Sequence, residues 1–279
     1  MQDNRSQSVK WQRYEAKYLI SKRQAAEVRR YCLDHLPPDP HSSCAPSRQY
    51  PILSVYLDSP ARALLRHTLD KHPNRYKLRV RRYCEYTQRQ DDLLAFLEIK
   101  HRINGIMQKT RARVRPEVAD SLLWNKTAAF DGRGSPDRAT HTNMSEFLHL
   151  RRKVGARPVV GIYYTREAYE AASAERVRIT LDRKLHCGIL APSGNARCDM
   201  WWPADPGGVI LEVKFTNTYP FWVANLLHRL EVQRRGVCKY VICSRAAGVS
   251  AAVRDAARRV EEWTGSMNSS SRLARCPTT

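Results

Sequence analysis

The sequence predicts an α+β fold, an antiparallel β-barrel or tunnel with helices packed outside, and three observations predict it. Four short segments alternate strictly between apolar and charged residues: Tyr76-Lys77-Leu78-Arg79-Val80-Arg81, Leu97-Glu98-Ile99-Lys100, Glu175 to Asp182, and Leu211-Glu212-Val213-Lys214-Phe215. Side chains on a strand alternate faces with period two, so each segment presents one apolar ledge and one row of charges. Strand-like segments outnumber helical ones and are largely hairpin-connected, which describes a meandering antiparallel sheet, closed or nearly so. The third observation is charge: 48 Lys and Arg against 27 Asp and Glu give a formal +21 over 279 residues. A surplus of that size draws anions in, and like-charged rows stacked in one sheet repel unless something anionic lies among them.

The elements follow in order. Arg13 to Ile20 reads as a strand. Ser21 with Gln24 three residues on is a capping-box signature, and Ala25, Val28, Cys32 and Leu36 continue at helical spacing until Pro37-Pro38 stops them. Asp39 to Gln49, rich in Pro and Ser, is expected to be a loop, and Ile52 to Leu57 a strand. Ser59-Pro60 supplies an N-cap and an N1 proline for a helix through Leu65 and Leu69. Charged strands follow at 76–84 and 93–101. Asn104-Gly105 marks a tight hairpin turn whose returning arm places Met107, Lys109, Arg111 and Arg113 on one face. Residues 125–143 read as a loop, with a helix from about Ser145 to Lys153. Strands are expected at Pro158–Arg166, 175–182 and 209–215, then a helix opened by Pro220 and a last strand at Lys239–Cys243. Residues 11–245 thus form one tunnel domain, 246–264 a C-terminal helix (Ala251 to Trp263 at its centre) and 265–279 a disordered tail poor in hydrophobic residues.

Any one charged strand face has an ordinary explanation, since an antiparallel sheet commonly solvates one side. Here the rows are mostly Arg and Lys, with like charges two residues apart, and they recur along most of the chain. A closed barrel holding an anionic chain accommodates both facts. Three carboxylates interrupt the basic rows: Glu15, Glu98 and Glu212, each two residues before a lysine (Lys17, Lys100, Lys214). Such a pair shares a strand face. It suits a hard divalent cation, Mg²⁺ or Mn²⁺, that also meets phosphate, and it equally suits a cross-strand salt bridge.

Several classes are set aside. No run of 18 apolar residues exists, and the N-terminus lacks the apolar core of a signal peptide, so a cytoplasmic protein without a membrane span is expected. The eight cysteines form no C-x-x-C pair and the nine histidines show no ligand spacing, which leaves reduced thiols as the better reading than zinc. Gly105 to Thr110 lacks the first glycine of a P-loop. Trp201-Trp202 alternate faces and are expected to be partly buried. Nucleic acid is not expected as a partner, because aromatics do not interleave with the basic residues.

Taken together and in this order, Arg13-Tyr14-Glu15-Ala16-Lys17-Tyr18, Tyr56-Leu57-Asp58, Tyr76 to Tyr83, Phe96 to Lys100, Tyr163-Tyr164-Thr165-Arg166, Arg178 to Asp182, Leu211 to Phe215 and Lys239-Tyr240 resemble the VTC domain. This is the polyphosphate polymerase domain of the vacuolar transporter chaperone family, within the CYTH-like triphosphate tunnel metalloenzymes. The resemblance implies a tunnel that takes a nucleoside triphosphate and a metal. It implies that Lys17, Arg79, Arg81, Lys100, Arg166, Arg178, Lys214 and Lys239 bind phosphate and that Glu212 binds the metal, with Glu15 and Glu98 as further candidates. Arg66, Lys77, Lys109 and Arg111 are additional substrate-binding candidates. The wider CYTH group opens on Glu-x-Glu-x-Lys; Arg13 at the first position favours the VTC branch. The expected activity is ATP-dependent polyphosphate synthesis with Mn²⁺ or Mg²⁺. A binding module for polyphosphate or another polyanion, or a triphosphatase, would use the same lining.

Overall fold

The computed structural model describes residues 13–83, 94–104, 106–124, 138–171, 177–189, 201–216 and 220–248. Its frame is a curled antiparallel sheet with the order β1-β9-β7-β6-β2-β3-β4-β5, and a two-residue strand β8 pairs with β7. The strands are β1 (Arg13–Ile20), β2 (Tyr50–Asp58), β3 (Arg75–Tyr83), β4 (Ala95–Ile103), β5 (Ile106–Val114), β6 (Arg157–Glu170), β7 (Arg178–Ile189), β8 (Trp202–Pro203) and β9 (Val209–Thr216). The helices are α1 (Lys22–His35), α2 (Pro40–Cys44), α3 (Ala63–Leu69), α4 (Pro116–Trp124), α5 (Arg138–Lys153), α6 (Phe221–Arg229) and α7 (Lys239–Ala246). The expected tunnel with helices outside is therefore present, open along the side where β1 and β5 end the sheet. No helix among the described residues is long and apolar enough to cross a membrane.

Register explains which side chains line the concave face. Glu15, Lys17 and Leu19 of β1 lie opposite Lys214, Glu212 and Ile210 of β9, and these lie opposite Arg178, Thr180 and Asp182 of β7. Further round, Ser54 and Tyr56 pair with Arg81 and Arg79, and Arg79 and Lys77 pair with Glu98 and Lys100, which pair in turn with Arg111 and Lys109. The other parity faces the helices. Ala16, Tyr18, Ile20, Ile179, Leu181, Leu211 and Val213 pack under α1 and α6, and Leu78, Val80, Leu97, Ile99 and Ala112 pack under α4 and α5. A core on the convex side leaves the concave side to the charges.

Two helices sit at the concave face instead. Tyr240 and Cys243 of α7 pack with Tyr56, Ile162 and Ile210. At α2 the Asp39 carboxylate accepts from the Tyr50 hydroxyl at 3.0 Å and from Arg178 Nη2 at 2.8 Å. His41 stacks on Tyr83 with ring centroids 4.9 Å apart.

Local sequence signals mostly hold. The Ser21/Gln24 capping box starts α1, and Asn104 turns the β4–β5 hairpin at φ 47° between the paired Ile103 and Ile106. Gly208 opens β9 with φ 153°, where a Cβ would sit 2.5 Å from the Ile20 carbonyl oxygen. Only glycine lets β9 start this close to β1.

Three expectations need correction. Lys239–Cys243, expected as a strand, lies in helix α7, its apolar run turned onto the tunnel wall rather than into the sheet. Asp39–Gln49 contains helix α2, begun by the Asp39 side chain accepting from Ser42 N. Helix α3 starts at Ala63, later than Ser59-Pro60 implies. The Asp58 carboxylate, accepting from the N–H groups of Leu64 and Leu65, does most of its capping, while Ser59 Oγ accepts from Ala63 N. Trp201 and Trp202 are partly buried as expected, at 39 % and 36 % exposure. Strand β6 and helix α5 also run longer than expected, and α4 was not foreseen. The helix expected at Ala251–Trp263 and the expected disordered tail lie outside the described residues.

Parity on β3 makes a testable statement. Arg82 shares the convex side with Leu78 and ion-pairs with Asp120 of α4, also donating to the Pro116 carbonyl. Arg82→Ala is expected to leave tripolyphosphate affinity unchanged, with a stability loss of about 1 kcal/mol or less, because the pair is partly exposed. Leu78→Asp, which puts a carboxylate into a fully buried apolar site, is expected to cost several kcal/mol and unfold the domain. Circular dichroism melts and anion titrations read both outcomes.

Candidate active site

Three carboxylate-centred clusters organise the tunnel wall. The first is Glu98 on β4, 1 % exposed. Arg79 reaches its Oε2 from β3 at 2.6 Å, and Lys109 and Arg111 reach its Oε1 from β5 at 2.6 and 2.5 Å. Arg81 stands off at 3.9 Å and is held by Ser54 Oγ and the Tyr164 hydroxyl, both at 3.2 Å. The second cluster joins β1 and β9: Lys17 Nζ lies 2.9 Å from Glu15 and 3.5 Å from Glu212, and Lys214 Nζ lies 2.7 Å from Glu212. The third centres on Asp182, which takes Arg166 in a two-pronged pair at 2.7 and 2.8 Å and Lys239 of α7 at 2.5 Å. Lys100 of β4 bridges the open side, with Nζ 3.0 Å from Glu15 on β1.

The sequence-derived site residues thus converge on one face, with one exception. Arg66 donates to the Ala61 carbonyl of its own turn at 3.0 Å and does not join the wall. Lys77 joins it beside Arg79 and, among the described residues, has no carboxylate partner. Arg178 sits at the α2 end, paired with Asp39 and Glu170.

Several contributors were not singled out from sequence. Asp182 shares the alternating parity of Arg178 and could have been found by extending that row. Tyr56, whose hydroxyl accepts from Arg79 Nη1 at 3.1 Å and whose ring stacks on Tyr240, carries no such signal. Neither does Asp39.

The electrostatics follow from packing cations together. Burial would raise the carboxyls, but the surrounding Lys and Arg win and keep them ionised. Glu15 falls to about 2, despite burial and the nearby Glu212 charge, because Lys17, Lys100 and Lys214 face it. Glu98, Glu212 and Asp182 are likewise held far below the usual carboxylate range. The lysines split. Lys17, between two carboxylates, is raised although burial opposes it. Burial and then Lys17 push Lys100 down to about 8 against the pull of Glu15 and Glu212. Burial, helped by Arg79, Arg111 and Arg81, pushes Lys109 down to about 6 even with Glu98 at 2.6 Å. Burial also holds Lys77 low. Desolvation raises the Tyr83 hydroxyl, yet Arg81 and Arg111 outweigh it and bring Tyr83 down to about 8. Such a wall favours a multivalent anion.

Metal-binding capacity rests on two side chains. Glu15 and Glu212 share Lys17 and are ionised; their oxygens, like those of Glu98, are engaged by cations, but here by lysine ammonium groups alone, without the arginine pairs that fix Glu98. No group of three or more His, Cys, Asp or Glu gathers among the described residues. Two hard oxygen donors fit a Mg²⁺ or Mn²⁺ ion that completes its shell with water and phosphate oxygens. They do not fit zinc.

A curled antiparallel sheet with a concave face lined by Lys, Arg and Glu defines a half-barrel protein with a basic interior. More particularly, the chain belongs to the VTC domain family, whose profile matches residues 12–247. Solved structures similar to it include the PH1819 protein of Pyrococcus horikoshii OT3, at 13 % identity over 84 % of this chain and 98 % of that one, with TM-score 0.42. A candidate adenylate cyclase of Bacillus halodurans matches at 14 % identity over 81 % and 94 %, with TM-score 0.47. A candidate adenylyl cyclase of Hippeastrum, described with a dominant triphosphatase activity, matches at 13 % identity over 83 % and 95 %, with TM-score 0.45. No curated protein matches the sequence.

The depressed lysines generate a prediction. An anion among them raises their proton affinity, so tripolyphosphate binding near pH 8 draws protons onto Lys109 and Lys100. Affinity correspondingly falls as pH rises through about 6 and then about 8, where the free lysines lose their charge. Calorimetry in two buffers of different ionisation enthalpy is expected to show less proton uptake for Lys109→Met than for the unmodified protein. Equal uptake would contradict the assignment.

Proposed function

We propose that this chain is a metal-dependent polyphosphate polymerase that transfers the γ-phosphoryl group of ATP to the end of a growing polyphosphate chain. The observation that carries the reading is the wall itself: cations in excess of carboxylates, two of them buried and most of the others half-buried, arrayed over seven strands and held in place by ion pairs and hydroxyls. Membership of the VTC domain family supports the same reaction. A terminal phosphate oxygen of the acceptor forms the new bond to the γ-phosphorus, the bond from that phosphorus to the β–γ bridging oxygen breaks, and ADP leaves. The attacking oxygen is already ionised at neutral pH, so no Ser, Cys or His nucleophile is required. Catalysis is then positioning and charge stabilisation.

The residues divide this work. Arg79, Arg81 and Arg166 have their guanidinium groups fixed by Glu98, Ser54, Tyr164 and Asp182, which sets the donors before phosphate arrives. Such preorganisation saves reordering cost during the reaction. Lys17, Lys100, Lys214 and Lys239 add point charges that can exchange a carboxylate for a phosphate oxygen. Glu15 and Glu212 would hold Mg²⁺ or Mn²⁺, which when bound neutralises charge shared between neighbouring phosphates.

Incubation with ATP and Mn²⁺, followed by separate assays for chain polyphosphate and free phosphate, tests the reaction. Polyphosphate is the expected product; free phosphate alone would establish a hydrolase, and no turnover a binding module. Glu212→Gln is expected to lower turnover about a hundredfold or more, with the fold retained. Turnover of that variant at the unmodified rate would remove Glu212 from the site. Independently of turnover, tripolyphosphate is expected to raise the melting temperature well above the effect of chloride at equal ionic strength, because it binds only the folded wall. An equal response to both salts would indicate a merely solvated surface.

A further inference from the structure

The tunnel wall contains a polar atom that no described residue satisfies. Thr180 on β7 is fully buried, and its Oγ1 has no hydrogen-bond partner among the described residues. Its position is what gives this meaning. Thr180 is register-paired with Glu212 on β9, and Glu212 is register-paired with Lys17 on β1. Directly opposite residues of an antiparallel pair project to the same face with Cβ atoms about 4.5–5.5 Å apart. Glu212 lies on the concave face, shown by its contacts with Lys17 and Lys214, so Thr180 lies there too. The neighbour on its other side is Ala168, which offers no polar group.

A buried hydroxyl without a partner is unfavourable, and valine would fill the same volume without that penalty. The Glu212 carboxylate is close but engaged by two lysines, and no bond joins it to Thr180.

We propose that Thr180 belongs to the outer shell of the divalent-cation site, its hydroxyl hydrogen-bonding a water of the hydrated ion that Glu212 binds. Mg²⁺ and Mn²⁺ characteristically retain water when only one or two carboxylates bind them, and such waters need acceptors. Groups that orient a metal's ligands commonly contribute as much to its binding as their position in the fold allows. The proposal rests on the reading of Glu212 as the cation ligand.

The test uses the full chain with Mn²⁺ and tripolyphosphate as probes, in the unmodified protein and in Thr180→Val, Thr180→Ser and Glu212→Gln. Thr180→Val is expected to melt no lower than the unmodified protein and to bind metal-free tripolyphosphate equally well. In saturating tripolyphosphate it is expected to need about tenfold more Mn²⁺, read by electron paramagnetic resonance of the bound ion. Thr180→Ser, which keeps the hydroxyl, is expected to restore Mn²⁺ affinity. Unchanged Mn²⁺ affinity in Thr180→Val overturns the proposal. So does an equal loss with metal-free tripolyphosphate, which would put the hydroxyl on phosphate, or a lower melting temperature, which would make it structural. If Glu212→Gln loses bound Mn²⁺ and Thr180→Val does not, the cation site stands and only this inference fails. If the unmodified protein binds no Mn²⁺ with tripolyphosphate, both fall together.

Discussion

Everything in this tunnel depends on the interaction between Glu98 and the cations around it. A curled sheet that turns its basic rows inward brings Arg79, Arg81, Lys109 and Arg111 within reach of one another. Without a counter-charge this is a costly arrangement in a desolvated place. Glu98 supplies that charge at 1 % exposure, and it is ionised because so many cations face it. Removing one partner of such a group leaves an unpaired buried charge, so the cluster is stable as a set and weak in parts. The same arrangement recurs at lower density around Glu15 and Glu212, and around Asp182.

These carboxylates neutralise part of the wall but not all of it. Lys77 has no acid partner among the described residues, and Lys100 and Lys109 hold their protons less firmly than free lysines do. The imbalance makes the folded protein a strained host for its own charge. A polyanion bound there would relieve that strain, so stability and affinity would draw on one source. This also explains why the apolar core lies outside, beneath α1, α4, α5 and α6: the concave face has no apolar area to spare, except where α7 packs.

Much of this was legible in the sequence because strands encode their faces directly. The parity of Lys77, Arg79 and Arg81 against Leu78, Val80 and Arg82 identified the inward side of β3, and the Glu–Lys spacing at 15/17, 98/100 and 212/214 placed the acids beside the bases. Three things were hidden. Lys239 lies on a helix whose short apolar run, Tyr240 to Cys243, has the length and residue types of a buried strand, and period alone does not separate the two. Arg66 has the right charge but sits on α3, where its side chain turns back onto Ala61. The supports from other elements, Asp39 of α2 and Tyr56 beneath Tyr240, depend on contacts across long sequence separations that no local pattern records.

The contact between Lys100 and Glu15 has a mechanical meaning beyond its charge. Strands β1 and β5 end the sheet without a ladder between them, and the Lys100–Glu15 pair links β1 to β4, one strand in from the β5 edge. A ladder fixes a bore and parts only by unfolding. A partly exposed ion pair contributes on the order of 1 kcal/mol and weakens as salt rises. The link between β1 and β4 is therefore sensitive to ionic strength in a way that a continuous backbone ladder is not.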